Sequence, residues 1–91
     1  MNNRRTPYEI YWEILTYCKQ QRLITQIVQR CNLNSKIGQE YVDFLVEKGY
    51  LGKTTQDDKT LYLTMPTAKG YVESFMKLYL ELFNNSPEFK L

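Results

Sequence analysis

The sequence predicts an α+β fold, mainly helical, on three observations. Three segments with helical spacing of apolar residues come first, the second and third joined by a tight polar turn. Two strand-like segments follow, separated by a polar tip. The last segment is apolar around most of a helical circumference. The order is therefore helix, helix, turn, helix, hairpin, helix.

Ninety-one residues fit one domain with a modest core. Thr6-Pro7-Tyr8-Glu9 reads as a helix start: Thr6 caps, Pro7 takes the first position and Glu9 closes a capping box. This helix is expected to run to about Gln20. Ile10, Ile14, Tyr17 and Cys18 share one face, and Tyr8, Tyr11, Trp12 and Leu15 make a second. Two apolar faces imply two packing partners. A short helix over 24–31 carries Ile24, Ile27, Val28 and Cys31, with Thr25 as its expected cap. Asn32-Leu33-Asn34 makes the turn. Ser35 is expected to cap a third helix that ends near Lys48, its buried face made by Ile37, Tyr41, Phe44 and Leu45. Gly49 follows as the left-handed residue.

Tyr50 to Thr55 and Lys59 to Thr64 are expected strands, with Gln56-Asp57-Asp58 as the hairpin tip. Met65-Pro66-Thr67 ends the second strand. Thr67 is the expected cap of a last helix from about Ala68 to Phe83. The divisions that follow are a basic arm over 1–5, a body over 6–66, a dimerisation helix over 67–84 and a flexible tail over 85–91.

This order is that of a winged helix-turn-helix. In that arrangement the third helix enters a DNA major groove. Its N-terminal outward residues, Asn34, Ser35, Lys36 and Gln39, are of the types that bond base edges, and Glu40 can accept from cytosine. Lys53, Thr55 and Lys59 on the wing suit the backbone or minor groove, as do Arg30, Arg4 and Arg5. Each has a plainer reading. A polar helix face is also what any solvated helix shows, and wing lysines also keep an edge strand soluble. Asp57 and Asp58 oppose deep insertion of the tip. The net charge of +2 permits nucleic-acid binding without demanding it.

The runs Tyr8-Glu-Ile-Tyr-Trp-Glu-Ile-Leu15 and Leu33-Asn-Ser-Lys-Ile-Gly-Gln-Glu-Tyr-Val-Asp-Phe-Leu-Val-Glu-Lys-Gly-Tyr-Leu51 resemble the small winged-helix DNA-binding proteins of archaea and their viruses. That group carries a long C-terminal dimerisation helix. The resemblance implies a homodimeric transcription regulator, or a small chromatin protein, with double-stranded DNA as partner. The strand-to-helix junction departs from the group's pattern: Met65-Pro66 lengthens it.

The last helix favours a dimer on its own account, the alternative being a helix that merely closes a monomeric core. Tyr71, Phe75, Leu78, Tyr79 and Leu82 make one stripe, and Val72, Met76, Leu80 and Phe83 widen it beyond what one small core covers. Tyr8 and Trp12 are the expected contributors from the first helix. Cys18 and Cys31 read first as buried free thiols. A disulfide is the alternative, since the resemblance points to hosts in which intracellular disulfides occur, and Cys18 is then the expected bridge between subunits.

The sequence has no His, no CxxC pair and no Gly-rich phosphate loop. No enzyme, metal site or cofactor is expected, and no small-molecule ligand is evident. With no signal peptide and no apolar run of membrane length, the expected location is intracellular. The competing reading for the whole chain is a winged helix that binds protein in place of DNA.

Overall fold

A computed structural model describes residues 5–84 of the chain. The elements are α1 (Pro7–Tyr17), α2 (Ile24–Arg30), α3 (Ser35–Lys48), β1 (Leu51–Gln56), β2 (Lys59–Thr64) and α4 (Lys69–Asn84). A single 3-10 turn, Pro66–Ala68, precedes α4. The mainly helical α+β class and the winged order are as the sequence predicts.

The start of α1 is set by local chemistry. Thr6 Oγ1 accepts from Glu9 N–H at 3.1 Å, and Glu9 Oε1 accepts from Thr6 N–H at 3.3 Å. The helix ends at Tyr17, short of the expected Gln20. There Cys18 O accepts from Thr64 N–H at 2.8 Å, which ties the chain to β2 in place of another helical turn. Two expected caps move. Leu23, not Thr25, precedes α2, and its N–H is bonded by Gln26 Oε1 at 2.9 Å. Asn34, not Ser35, caps α3: its Oδ1 accepts from Ile37 N–H at 2.8 Å. Asn is as good a cap as Ser, and the residue whose backbone is extended takes the position. Likewise Thr67 lies inside the 3-10 turn, where its hydroxyl donates to Gly49 O and does not cap α4.

Gly49 ends α3 with φ +87°, the left-handed conformation expected of it. At the hairpin tip Asp57 and Asp58 both have positive φ, +53° and +64°. Two such residues in succession make the mirror-image turn whose twist matches paired strands. The strands pair antiparallel, Leu51 opposite Thr64 through Gln56 opposite Lys59. Arg22 extends this sheet by one residue. Its N–H donates to Tyr62 O at 3.0 Å and its carbonyl accepts from Tyr62 N–H at 2.8 Å.

The core joins α1 (Ile10, Ile14, Leu15) and Cys18 to Ile27, Cys31, Val42, Leu45, Leu51, Tyr62, Ala68 and Val72. The buried face of α3 differs from the expected one. Gly38, Val42 and Leu45 point inward, while Ile37 and Phe44 are exposed and Tyr41 is half-buried. Gly38 decides this. A Cβ built on it would stand 2.2 Å from Val28 Cγ1, so α2 and α3 meet at a point where only a hydrogen fits. Rotating Gly38 inward carries Ile37, Tyr41 and Phe44 to the flank, where Tyr41 and Phe44 pack on Tyr11 at ring separations of 5.5 and 5.2 Å.

Candidate nucleic-acid interface

Asn34, Ser35 and Lys36 open α3 and are exposed. The Asn34 carbonyl oxygen is engaged as the cap, which leaves its amide N–H2 outward. Lys36 and Glu40 lie one turn apart on the exposed surface. Gln39 is half-buried and is held: its Nε2 donates to Asp43 Oδ1 at 2.8 Å and reaches Tyr62 Oη at 3.5 Å. Its Oε1 is the acceptor that this geometry leaves for a ligand.

The wing presents its residues on two faces. Directly opposed residues of an antiparallel pair lie on the same face. Lys53 stands opposite Tyr62, and Thr55 opposite Thr60. Because Tyr62 reaches Gln39, the Lys53–Thr55 face is the one turned toward α3. Lys59 stands opposite Gln56 and belongs to the other face. All three are exposed. Tyr62 is the residue that sequence reasoning missed: it is buried, pairs with Arg22 and links α3 to the wing. Its signal in the sequence was only an aromatic in an alternating strand.

The basic residues outside this surface part company. Arg30 is exposed at the end of α2, its guanidinium 5.8 Å over the Tyr17 ring. Arg5 ion-pairs with Glu13, and its Nη2 donates to Cys31 O at 2.6 Å and Asn32 O at 3.4 Å. Arg5 thus satisfies free carbonyls at the C-terminal end of α2, a position that favours a cation. Arg4 lies outside the described residues.

The residues expected at a subunit contact also divide. Trp12 stacks on Phe75 and Tyr79 of its own α4, at 5.3 and 6.0 Å between rings. The Tyr71 hydroxyl donates to Tyr8 O, and its ring lies against Tyr50 and Phe75. Burial pushes the Tyr71 phenol up to about 12, with the nearby Tyr11, Tyr50 and Tyr8 adding to it. By contrast Leu78 is 65% exposed and Leu82 60%, with Met76, Tyr79 and Leu80 also on the surface. Phe83 belongs to the last turn of α4.

Both cysteines are free and buried. Burial pushes the Cys18 thiol up to about 12 and the Cys31 thiol up to about 11. Cys18 has no exposed surface, so a bridge between subunits has no accessible thiol there to form from. Among the described residues, no group of three His, Cys, Asp or Glu side chains is placed to hold a metal ion. None of the described helices is long and apolar enough to cross a membrane.

This architecture, a helix-turn-helix followed by a wing, defines a winged helix-turn-helix protein. The model of the winged helix-turn-helix family matches residues 4–84, and the chain belongs to that family. Among solved structures it is similar to Sso10a-2, a DNA-binding protein of Sulfolobus solfataricus, at 28% identity and a TM-score of 0.75, with 92% of each chain covered. It has the fold of ZitR of Lactococcus lactis, solved in complex with DNA, at 17% identity, a TM-score of 0.64 and coverage of 96% and 67%. BpsR of Bordetella bronchiseptica shares the fold at 13% identity and a TM-score of 0.74, with 96% of this chain and 63% of that one covered. No curated protein matches. The fold is thus winged helix-turn-helix, one that DNA-binding proteins such as Sso10a-2 share.

Proposed function

We propose that the chain is a homodimeric transcription regulator that binds double-stranded DNA sequence-specifically. α3 enters the major groove, and the wing rests on the backbone or in the minor groove. The observation that carries this reading is the shared surface of α3 and the wing. Asn34, Ser35 and Lys36 are exposed at the start of α3, and Gln39 of the same helix reaches Tyr62, which shares a wing face with Lys53 and Thr55. Polar groups of this kind read base edges, while lysines beside them neutralise phosphates. Arg30 and Lys59 add charge at the margins. Arg5 contributes through the position it gives α2, and Arg4 as an arm. Sso10a-2 being a DNA-binding protein supports the same reading.

The body over 6–66 carries the DNA surface, and α4 carries the dimer. The exposed Leu78, Tyr79 and Leu82 supply the seam, continued by Phe83 of the last turn. Trp12, Tyr71 and Phe75 hold that seam to the body, and Tyr8 borders it. Two bodies related by a two-fold axis present two recognition helices about 34 Å apart.

Selection of bound duplexes from a random pool, followed by anisotropy titration at several salt concentrations, tests the function. Enrichment of a two-half-site sequence and affinity that falls with salt are expected. Salt-dependent binding with no enriched sequence would indicate a chromatin-type protein. No duplex binding at low salt would favour a protein-binding winged helix.

A further inference from the structure

Gln39 lies in a row of α3 side chains, one helical turn after Lys36 and one before Asp43, and both of those neighbours are exposed. Its amide carries two N–H donors and one acceptor oxygen. Nε2 donates to Asp43 Oδ1 at 2.8 Å and reaches the Tyr62 phenol oxygen at 3.5 Å. A carboxylate offers no donor, so the amide nitrogen, and not Oε1, is the atom that must face Asp43. Both N–H groups thus have an acceptor within the chain, and Oε1 is the atom left over.

The two acceptors are themselves held. Asp43 stands on the next turn of the same helix. Tyr62 is buried, and its backbone is fixed on both sides of β2, by paired bonds with Arg22 and by its place opposite Lys53. Among the described residues Asp43 has no ion pair, and its bond to Gln39 is the contact the structure gives it. Affinity for a polyanion does not call for a carboxylate on this helix, because it repels phosphate. Control of the Gln39 amide does.

We propose that Gln39 reads a base through Oε1 alone, with Asp43 and Tyr62 as positioning residues that keep its donors occupied; this rests on the reading of α3 as the major-groove helix. A free glutamine bonds adenine at two points, donating to N7 and accepting from the N6 amino group. Held by Asp43 and Tyr62, Gln39 keeps only the second bond. Cytosine offers an equivalent amino group at N4. Guanine presents N7 and O6, and thymine O4, all of them acceptors that would face Oε1 unpaired. On the strand it contacts, Gln39 therefore admits adenine or cytosine and excludes guanine and thymine. In a half-site of fixed orientation, A·T and C·G pairs are accepted at that position, and T·A and G·C pairs are refused.

Duplexes are selected from a random pool with the full chain and with its Gln39→Ala variant. The position whose preference the substitution removes is the one Gln39 reads. At that position, anisotropy titration should find adenine and cytosine within about threefold of each other, and guanine or thymine weaker by about tenfold. Replacing the adenine by 7-deazaadenine, which lacks N7, should leave the affinity unchanged. An unsubstituted purine, which lacks the amino group, should bind about tenfold more weakly. Asp43→Ala, checked for folding by circular dichroism, frees a donor. Adenine should then exceed cytosine by about tenfold, and 7-deazaadenine should lose that advantage. An Asp43→Ala variant that changes affinity for all four bases alike would overturn the proposal. So would equal binding of guanine or thymine, or weakening by 7-deazaadenine in the unaltered chain. Duplex binding with no position that depends on Gln39 overturns this inference and leaves the DNA-binding reading standing, whereas no duplex binding at low salt defeats both.

Discussion

α1 and α4 are both apolar helices, and the chain treats them oppositely. α1 buries Ile10, Ile14 and Leu15, and Cys18 just beyond it, in a core shared with the other helices and both strands. α4 buries Val72 near its start and leaves Leu78, Leu80 and Leu82 on the surface about two to three turns on. Similar composition therefore carries different meanings. An apolar stripe closed by its own chain stabilises the fold. One that runs past the body is stable only when something outside covers it.

Substitutions can break that contrast. The largest effect is expected from Leu15→Ala, which opens a cavity in a fully buried site and should lower unfolding free energy by about 2–5 kcal/mol in urea. Gly38→Ala follows, at about 1–3 kcal/mol, because its methyl group would meet Val28. Leu82→Ala should behave in the other way. It should change the stability of the isolated body by no more than about 0.5 kcal/mol while raising the dimer dissociation constant in sedimentation. Stability lost equally at Leu82 and Leu15 at high dilution would erase the distinction between the helices.

The thiols give a smaller, pH-dependent effect. Both ordinarily titrate near 9 and are raised in the folded chain, to about 12 for Cys18 and about 11 for Cys31. The folded state therefore holds these protons more tightly than the unfolded one. The resulting stability is complete below about pH 9 and falls as pH rises through 11 to 12. Cys18→Ala should flatten that alkaline decline in a series of thermal melts, and native labelling of either thiol at pH 8 should be slow.

Much of this was legible in the sequence, and the misses have physical causes. The Thr6–Glu9 box and Gly49 were readable because each is a local arrangement with a fixed spacing. The excess of apolar residues in α4 was readable because no single core could absorb it. The inward face of α3 was not. Helical periodicity allowed two neighbouring faces, and the choice rests on Gly38, a residue with no side chain to register in an apolar pattern. The Arg22–Tyr62 bridge was invisible because one paired residue has no period. Within the candidate site, the polar types at 34–39 could be named. The bond from Gln39 to Asp43 could have been anticipated from their four-residue spacing. Its further reach to Tyr62 depends on tertiary packing.

The hairpin tip carries a last consequence. Asn-Gly would adopt the left-handed turn at Asp57 and Asp58 with less strain, yet two carboxylates occupy it. Asp tolerates this conformation as few other residues do, and it also brings charge. If the wing lies beside a duplex as proposed, two negative charges at its extremity would act as a depth stop, holding the tip off while the lysines approach the backbone. Asp58→Gly should therefore let the wing ride deeper. The expected mark is tighter binding that discriminates less between sequences, with the wing's own stability rising slightly.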